Sequence, residues 1–79
     1  MAKPKRITIY TTSRCSVCDQ AKKYFKQRRI PFVEFDVQRS KRGIKDFQRM
    51  NGRGVPIIMI GDKRVDGFDK LGFEAIYDD

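Results

Sequence analysis

Apolar and polar residues alternate in two short stretches of the chain. In Arg6–Tyr10 and Phe32–Val37 apolar side chains fall at every second position, which predicts two β-strands. Between them, from Cys15 to Arg29, no Gly or Pro occurs and apolar residues recur at helical spacing, which predicts an amphipathic helix beginning at or next to Cys15. The residues that define its apolar stripe are Val17, Ala21, Tyr24 and Phe25. Strand, helix and strand in this order form a βαβ unit, so the two strands should lie parallel with a right-handed crossover.

A second helix is predicted from Ser40 to Met50. Ser40 is a candidate N-cap, and Asn51 and Gly52 are typical of a helix end. Gly43 weakens the helical pattern because glycine has a low helix propensity. The expected buried stripe consists of Ile44, Phe47 and Met50.

The last part of the chain predicts two strands and a short helix. Val55–Ile60 is almost entirely apolar, which is typical of a strand covered on both faces. A Gly61-Asp62 turn followed by Lys63–Asp66 predicts an antiparallel hairpin. Asp69 can cap a final helix. The residues expected to face inward from this helix are Phe73, Ile76 and Tyr77. The predicted element order is βαβαββα.

The length of 79 residues fits one domain spanning residues 1–79. A core of this size supplies only roughly 3–5 kcal/mol of net stability. The first ten residues are basic but lack the apolar run of a signal peptide, and no segment reaches the roughly 18 apolar residues of a membrane span. We therefore expect a soluble cytoplasmic protein with no membrane partner.

The charge of the chain is uneven. It contains 18 Lys and Arg against 10 Asp and Glu, which gives a formal net charge of +8. Six cations between residues 39 and 53 are opposed by Asp46 alone: Arg39, Lys41, Arg42, Lys45, Arg49 and Arg53. Such a patch fits nucleic acid, an acidic partner or an anionic small molecule, but a solvated face explains it more simply. Aromatic and basic residues do not interleave as in single-strand binders, so no specific nucleic acid is expected.

The chemistry available to the chain centres on its two cysteines, Cys15 and Cys18, since it has no histidine. The loop between them is too short for a disulfide to add much stability, because that stabilisation grows with loop length. A structural zinc site normally takes four protein ligands, more than this pair offers. A Cys-x-x-Cys pair that follows a strand and opens the helix of a βαβ unit is typical of dithiol redox chemistry.

The predicted helix gives the two cysteines different roles. Unpaired N–H groups and the dipole at the helix N-terminus favour a thiolate on Cys15, and Arg14 adjoins it in the chain. Cys18 lies one turn into the helix, where it should be more shielded and can face Cys15. Cys15 is thus the predicted catalytic nucleophile, Cys18 the predicted resolving residue, and Cys15–Cys18 the candidate redox-active disulfide.

The chain resembles the glutaredoxin branch of the thioredoxin-fold family. The stretches that carry the resemblance are "ITIYTTSRCSVC", "GVPIIMIGD" and "DGFDKLGFEAI", in that order and at family-like spacing. The resemblance implies a thioredoxin-like α/β fold with a central four-stranded mixed sheet and helices on both faces. It also implies a monomeric dithiol–disulfide oxidoreductase that reduces protein disulfides or glutathione-mixed disulfides. Glutathione is then the implied reductant, and disulfide-containing or glutathionylated proteins are the implied partners.

The same resemblance implies a substrate site. Pro56 would be a cis-proline beside Cys15, and Val55 would present its backbone to an extended thiol substrate as an added strand. Gly67–Asp69 would form the helix N-terminus that receives the γ-glutamyl carboxylate in glutathione-binding relatives. The residues implied to contact substrate or glutathione are Arg14, Ser16, Val17, Arg53, Val55, Pro56, Gly67, Phe68 and Asp69.

The chain departs from the common glutaredoxin pattern at the cysteine motif. Cys-Pro-Tyr-Cys is replaced by Cys15-Ser16-Val17-Cys18, and the lysine three positions before the first cysteine, which helps to hold glutathione, is Thr12. Arg14 is an imperfect substitute for this lysine. Arg49 and Arg53 are candidate contacts to the glycine carboxylate of glutathione.

A second departure leaves the source of electrons open. The threonine that usually precedes Val-Pro is Gly54, and Asp66-Gly67-Phe68 resembles the "SGF" segment of the glutaredoxin-like electron donors of ribonucleotide reductase. Those donors take electrons from thioredoxin reductase rather than from glutathione. A further alternative is a [2Fe–2S] carrier, in which two chains contribute Cys15 and two glutathione molecules supply the other thiolates. Outside such a dimer no metal site is expected.

Overall fold

The computed structural model describes residues 6–78, which form three helices and one four-stranded sheet. The strands are β1 (Ile7–Thr11), β2 (Val33–Asp36), β3 (Ile57–Ile60) and β4 (Lys63–Asp66). The helices are α1 (Ser16–Gln27), α2 (Lys41–Arg49) and α3 (Lys70–Tyr77). The predicted order βαβαββα is confirmed. Within the described residues no helix is both long and apolar enough to span a bilayer.

The sheet is mixed, with the strand order β2-β1-β3-β4. β1 and β2 are parallel, as the βαβ pattern predicted, whereas β3 is antiparallel to both β1 and β4. This is the thioredoxin-like fold that the resemblance implied.

Side chains along β1 and β3 point alternately to the two faces of the sheet. Ile7, Ile9, Ile58 and Ile60 belong to one buried cluster, which also contains Ala21, Tyr24 and Phe25 of α1 and Phe73 of α3. On the opposite face the Tyr10 hydroxyl donates a hydrogen bond to Asp46 of α2 at 3.0 Å. Helices therefore cover both faces, with α1 and α3 on one side and α2 on the other.

Helix α2 lies close to the edge strand β2 because of Gly43. Gly43 is the buried residue of this helix, and a Cβ there would lie 2.8 Å from the backbone oxygen of Asp36. The glycine that weakened the helical pattern is thus a point of close packing. Ser40 is the N-cap, as predicted, since its Oγ accepts a hydrogen bond from the Gly43 N–H at 3.1 Å. The expected stripe of Ile44, Phe47 and Met50 is only half-buried.

Several predicted boundaries differ from the structure: β1 and β2 each differ by one residue at both ends, and two further differences have a clear physical reason. β3 begins at Ile57 rather than Val55, because Pro56 has no N–H to donate to a neighbouring strand. α1 ends at Gln27 rather than Arg29, which has a left-handed φ of 57°.

Candidate active site

Three loops meet at one edge of the sheet. The register pairs Tyr10 with Ile57 and Ile57 with Asp66, so the end of β1, the start of β3 and the end of β4 lie side by side. The segments that extend from these positions are residues 12–15, 54–56 and 67–69. The predicted site residues therefore come from distant parts of the chain to the same edge.

Cys15 lies at the point where β1 gives way to α1. It is the N-cap of α1, with extended backbone angles (φ −112°, ψ 102°), and its Sγ accepts a hydrogen bond from the Cys18 N–H at 3.1 Å. An N–H at a helix N-terminus stabilises negative charge on the sulfur that it faces. The first turn of α1 thus favours the thiolate of Cys15 when the disulfide is reduced.

The two sulfurs differ in access to solvent. A disulfide joins Cys15 and Cys18, whose Cα atoms are 5.2 Å apart. Cys15 is half-buried, but Cys18 is only 1% exposed, as expected from its place within the helix. An incoming partner can therefore reach Cys15 more readily than Cys18.

The surface around Cys15 is formed by its neighbours in sequence. Arg14 is exposed, has a left-handed φ of 60° and makes no ion pair within residues 6–78. Ser16 is also exposed, and Val17 leaves 39% of its surface accessible. These three side chains are free to contact a substrate.

A hydrogen bond between Pro56 and Gly67 connects the other two loops, residues 54–56 and 67–69. The Val55–Pro56 peptide bond is cis, as the resemblance implied, and Pro56 is buried. The Gly67 N–H donates a hydrogen bond to the Pro56 carbonyl oxygen at 2.7 Å. Val55 is half-buried and precedes the first paired residue of β3, so its backbone lies outside both strand ladders.

An open pocket of about 750 Å³ adjoins Val55. It brings together three of the predicted contact residues, Arg53, Val55 and Gly67. The other residues that line it are Met50, Asn51, Gly54, Arg64 and Asp66. This volume lies within the range of pockets that hold small-molecule ligands.

The family follows from comparison with known proteins. The Glutaredoxin family model matches residues 7–65. The chain belongs to the glutaredoxin family. A glutaredoxin-like 8.6 kDa protein of the rubredoxin operon of Clostridium pasteurianum is 30% identical over 71 residues, which cover 89% of this chain and 95% of that protein.

Two solved structures extend the comparison. NrdH-redoxin from Escherichia coli, a glutaredoxin-like protein with a thioredoxin-like activity profile, is 27% identical with a TM-score of 0.78; the match covers 90% of this chain and 93% of that one. Glutaredoxin 1 from Francisella tularensis is 29% identical with a TM-score of 0.65, over 90% and 92% of the two chains. With Cys15 and Cys18 at disulfide distance, this glutaredoxin-family protein is a thiol–disulfide oxidoreductase.

Phe68 and Asp69 lie at the start of α3, where the resemblance placed them. The Phe68 ring is half-buried and packs against Tyr24 and Phe25, with centroids 5.5 and 6.4 Å away. Asp69 is the N-cap of α3 but makes no side-chain capping hydrogen bond. Its carboxylate instead lies beside Gly72, where an added Cβ would be 3.0 Å from Oδ2.

Sequence reasoning missed a charged cluster that connects α1 to the sheet. The Glu34 carboxylate accepts hydrogen bonds from the Thr11 hydroxyl at 2.7 Å and from Lys22 Nζ at 2.9 Å. Burial raises the pKa of the Glu34 carboxyl, but these hydrogen bonds outweigh it and hold the pKa below its usual value. The hydrogen bond to Glu34 raises the pKa of Lys22. The cluster fixes α1 against the end of β1, the strand that leads to Cys15.

Sequence reasoning also missed Arg64 and Asp66 in the wall of the pocket. Arg64 Nε is 2.6 Å from Asp66 Oδ1, and its Nη1 donates a hydrogen bond to the Met50 carbonyl oxygen at 2.5 Å. Their i, i+2 spacing on a strand was the signal that both side chains share one face. Within residues 6–78, no group of three or more Cys, His, Asp or Glu side chains is arranged to hold a metal ion.

Proposed function

We propose that this protein reduces disulfide bonds of other proteins by dithiol exchange. The Cys15 thiolate attacks one sulfur of a substrate disulfide, forms a mixed disulfide and releases the other sulfur as a thiolate that takes up a proton. The Cys18 thiolate then attacks Cys15 Sγ, which releases the second substrate thiol and leaves the Cys15–Cys18 disulfide. The substrate gains two electrons and the protein loses two.

The hydrogen bond from the Cys18 N–H to Cys15 Sγ carries this proposal. It places the more accessible sulfur at a helix N-terminus and the shielded one a single turn away, which suits attack and resolution respectively. The position of Cys18 beside Cys15 favours dithiol chemistry over a [2Fe–2S] carrier, because a resolving thiol competes with a cluster for Cys15 Sγ.

An extended polypeptide fits the surface beside Cys15. The backbone of Val55 precedes the paired part of β3 and is available to hydrogen-bond with an added strand. The 750 Å³ pocket next to it has room for side chains that flank the substrate disulfide. Peptide backbone and flanking side chains would thus hold the disulfide near Cys15.

We infer that a flavoprotein of the thioredoxin reductase type supplies the electrons. Thr12 stands where glutathione-dependent relatives have lysine, and Asp66-Gly67-Phe68 is similar to the segment of the ribonucleotide reductase donors. At similar identity and coverage, the TM-score is higher for NrdH-redoxin than for glutaredoxin 1, 0.78 against 0.65. Glutathione is the second candidate reductant, since Arg53 lines the pocket, makes no ion pair among residues 6–78 and suits a carboxylate.

A coupled assay tests both parts of the proposal. NADPH oxidation is followed with insulin as the disulfide substrate, once with thioredoxin reductase and once with glutathione plus glutathione reductase. We expect turnover in the first system and little in the second. Turnover only in the glutathione system would overturn the inferred electron source. Absence of turnover in both systems would overturn the proposed reduction of protein disulfides.

A further inference from the structure

The outward face of α2 carries a row of positive charge that the dithiol chemistry does not use. Lys41, Lys45 and Arg49 recur every four residues, and Arg42 lies on the same side of the helix. All four side chains are exposed. We refer to Lys41, Arg42, Lys45 and Arg49 as the basic face.

Most of this charge has no counterion within residues 6–78. Lys41, Lys45 and Arg49 make no ion pair there. Arg42 lies 3.6 Å from Asp46 and stacks over the Phe35 ring. Asp46 also accepts the hydrogen bond of Tyr10, so the one carboxylate of α2 is directed toward the sheet.

Some cations outside α2 form ion pairs, unlike Lys41, Lys45 and Arg49. Arg28 contacts both Glu74 and Asp78, and Arg64 contacts Asp66. Exposed cations without an ion pair among residues 6–78 also occur outside α2, but α2 is distinguished by four cations within nine residues, opposed by Asp46 alone.

The stability of α2 does not explain its charge. The first turn contains Lys41 and Arg42 and no acidic residue, although the helix dipole favours acids at that end. Lys41 and Lys45, like Lys45 and Arg49, are repelling pairs at i, i+4 spacing. Arg49, in the last turn, suits the helix dipole, but helix stability gives no reason for Lys41 and Lys45.

The basic face is continuous with the pocket beside Val55. Met50, which follows α2, lines that pocket and also a smaller one of about 220 Å³ whose wall includes Arg42 and Arg49. Arg53 is exposed between α2 and Val55. A chain bound along α2 can therefore continue over Met50 toward the edge of the sheet where Cys15 lies.

We propose that the basic face binds an acidic segment of the protein whose disulfide is reduced. This inference rests on the proposed function, since it assigns one property to the substrate of the same site. Acidic side chains would neutralise Lys41, Lys45 and Arg49 and hold the neighbouring disulfide over the pocket. Such attraction between exposed charges weakens as salt is added.

Two matched peptides test the proposal. Each contains the same disulfide, flanked on one side by four glutamates or by four glutamines, and kcat/KM for its reduction is measured at low and at 0.5 M salt, which is roughly the range over which screening becomes strong. We expect the glutamate peptide to be reduced about tenfold faster at low salt, with the difference lost at high salt. Equal rates for the two peptides at low salt would overturn the proposal.

Two charge-matched variants locate the effect. Lys41→Gln and Lys45→Gln together remove two charges from the basic face and leave Arg49, and Arg42 with its contacts to Asp46 and Phe35, in place. Lys26→Gln and Lys63→Gln remove two exposed charges elsewhere. The preference for the glutamate peptide should fall clearly in the first variant and stay unchanged in the second. An unchanged preference in the first variant would contradict the proposal.

Failure of the basic face is distinguishable from failure of the redox function. The small uncharged bis(2-hydroxyethyl) disulfide should be reduced equally by both double variants and by the unaltered protein. If the unaltered protein does not reduce it, binding of a labelled tetraglutamate peptide to Cys15→Ser protein, followed by fluorescence anisotropy, still tests the basic face. Absence of salt-sensitive binding, or tighter binding of a single-stranded oligonucleotide of equal charge, would overturn the inference.

Discussion

The backbone N–H of Cys18 lies 3.1 Å from Sγ of Cys15 and donates a hydrogen bond to it. The contact exists because Cys15 is the N-cap of α1, so a free N–H of the first helical turn points toward its sulfur. The same three-residue spacing that allows a disulfide therefore also supplies the group that activates one of its sulfurs.

The first prediction concerns the separate roles of the two cysteines. Cys15→Ser should abolish disulfide exchange, because the activated nucleophile is lost. Cys18→Ser should still attack a substrate but should accumulate the mixed disulfide, because no thiol remains to resolve it. Mass spectrometry after mixing with a peptide disulfide measures the adduct.

Alkylation of the reduced protein provides a second measurement of the same prediction. Iodoacetamide at neutral pH should modify Cys15 faster than Cys18, since thiolate character and exposure both favour it. Faster modification of Cys18, or full activity of Cys15→Ser, would contradict the assignment.

The second prediction concerns the close packing of Gly43. In Gly43→Ala the added Cβ would meet the backbone oxygen of Asp36 at 2.8 Å and Phe35 Cβ at 3.1 Å. Overpacking costs about 1–3 kcal/mol and should outweigh the roughly 1 kcal/mol that alanine gains in helix propensity. Urea unfolding should show a net loss. Gly54→Ala is the control, because nothing lies within 4 Å of a Cβ there; an equal loss in both variants would contradict this account.

The third prediction concerns the pH dependence introduced by Glu34. Its folded-state pKa is lowered, so its ionised form stabilises the native state at neutral pH, and this contribution is lost as pH falls through the folded pKa. Since 37% of the side chain is exposed, Glu34→Gln should cost less than about 1 kcal/mol at pH 7.

The free energy of unfolding, measured at pH 7 and again below the usual range of carboxyl pKa values, tests the direction of this pH dependence. The difference between Glu34→Gln and the unaltered protein should shrink toward zero in acid. Asp62→Asn, at an exposed turn position without an ion pair among the described residues, should show little pH-dependent difference. A stability difference between Glu34→Gln and the unaltered protein that grows in acid would contradict the prediction.

The order of the elements was predictable because the hydrophobic period changes at each boundary. Alternation identified β1 and β2, helical spacing identified α1, and Ser40 identified the start of α2. The start of β3 was predicted two residues too early, because the apolar run includes Val55 and Pro56 whereas strand pairing begins at Ile57.

The site was predictable where neighbours in sequence are also neighbours in space. The proximity of Cys15 and Cys18 was predictable because only one helical turn separates them. The Thr11, Glu34 and Lys22 cluster depends instead on the register of β1 against β2, in which Thr11 is paired with Asp36. A single charged residue on a strand gives no indication of such a partner, so this cluster emerged only from the structure.

The fourth prediction concerns the aromatic core. Phe25 is 0% exposed and its ring lies 5.1 Å from that of Phe73 and 5.3 Å from that of Phe32. Phe25→Ala should lose about 3–5 kcal/mol, comparable with the whole net stability of roughly 3–5 kcal/mol expected for a small core, and should be largely unfolded.

A milder substitution should leave the protein folded, so that the change in its free energy of unfolding can be measured. Phe25→Leu should remain folded and lose about 1 kcal/mol or more in urea unfolding. Leu71→Ala is the matched control, because Leu71 is 77% exposed and its loss should change stability by at most about 0.5 kcal/mol. A larger effect at Leu71 than at Phe25 would show that the stabilising contacts lie elsewhere.

The fifth prediction concerns Thr12, the residue that we propose as the cause of weak turnover with glutathione. Thr12→Lys restores a cation three positions before Cys15 and should raise kcat/KM for glutathione-coupled turnover roughly fivefold, the effect of a pair worth about 1 kcal/mol. Turnover with thioredoxin reductase should not rise in parallel. Ser13→Lys adds the same charge at the adjacent exposed position and serves as the control. An equal rise in both variants would indicate a general effect of charge, and no rise in Thr12→Lys would remove Thr12 as the cause of weak glutathione use.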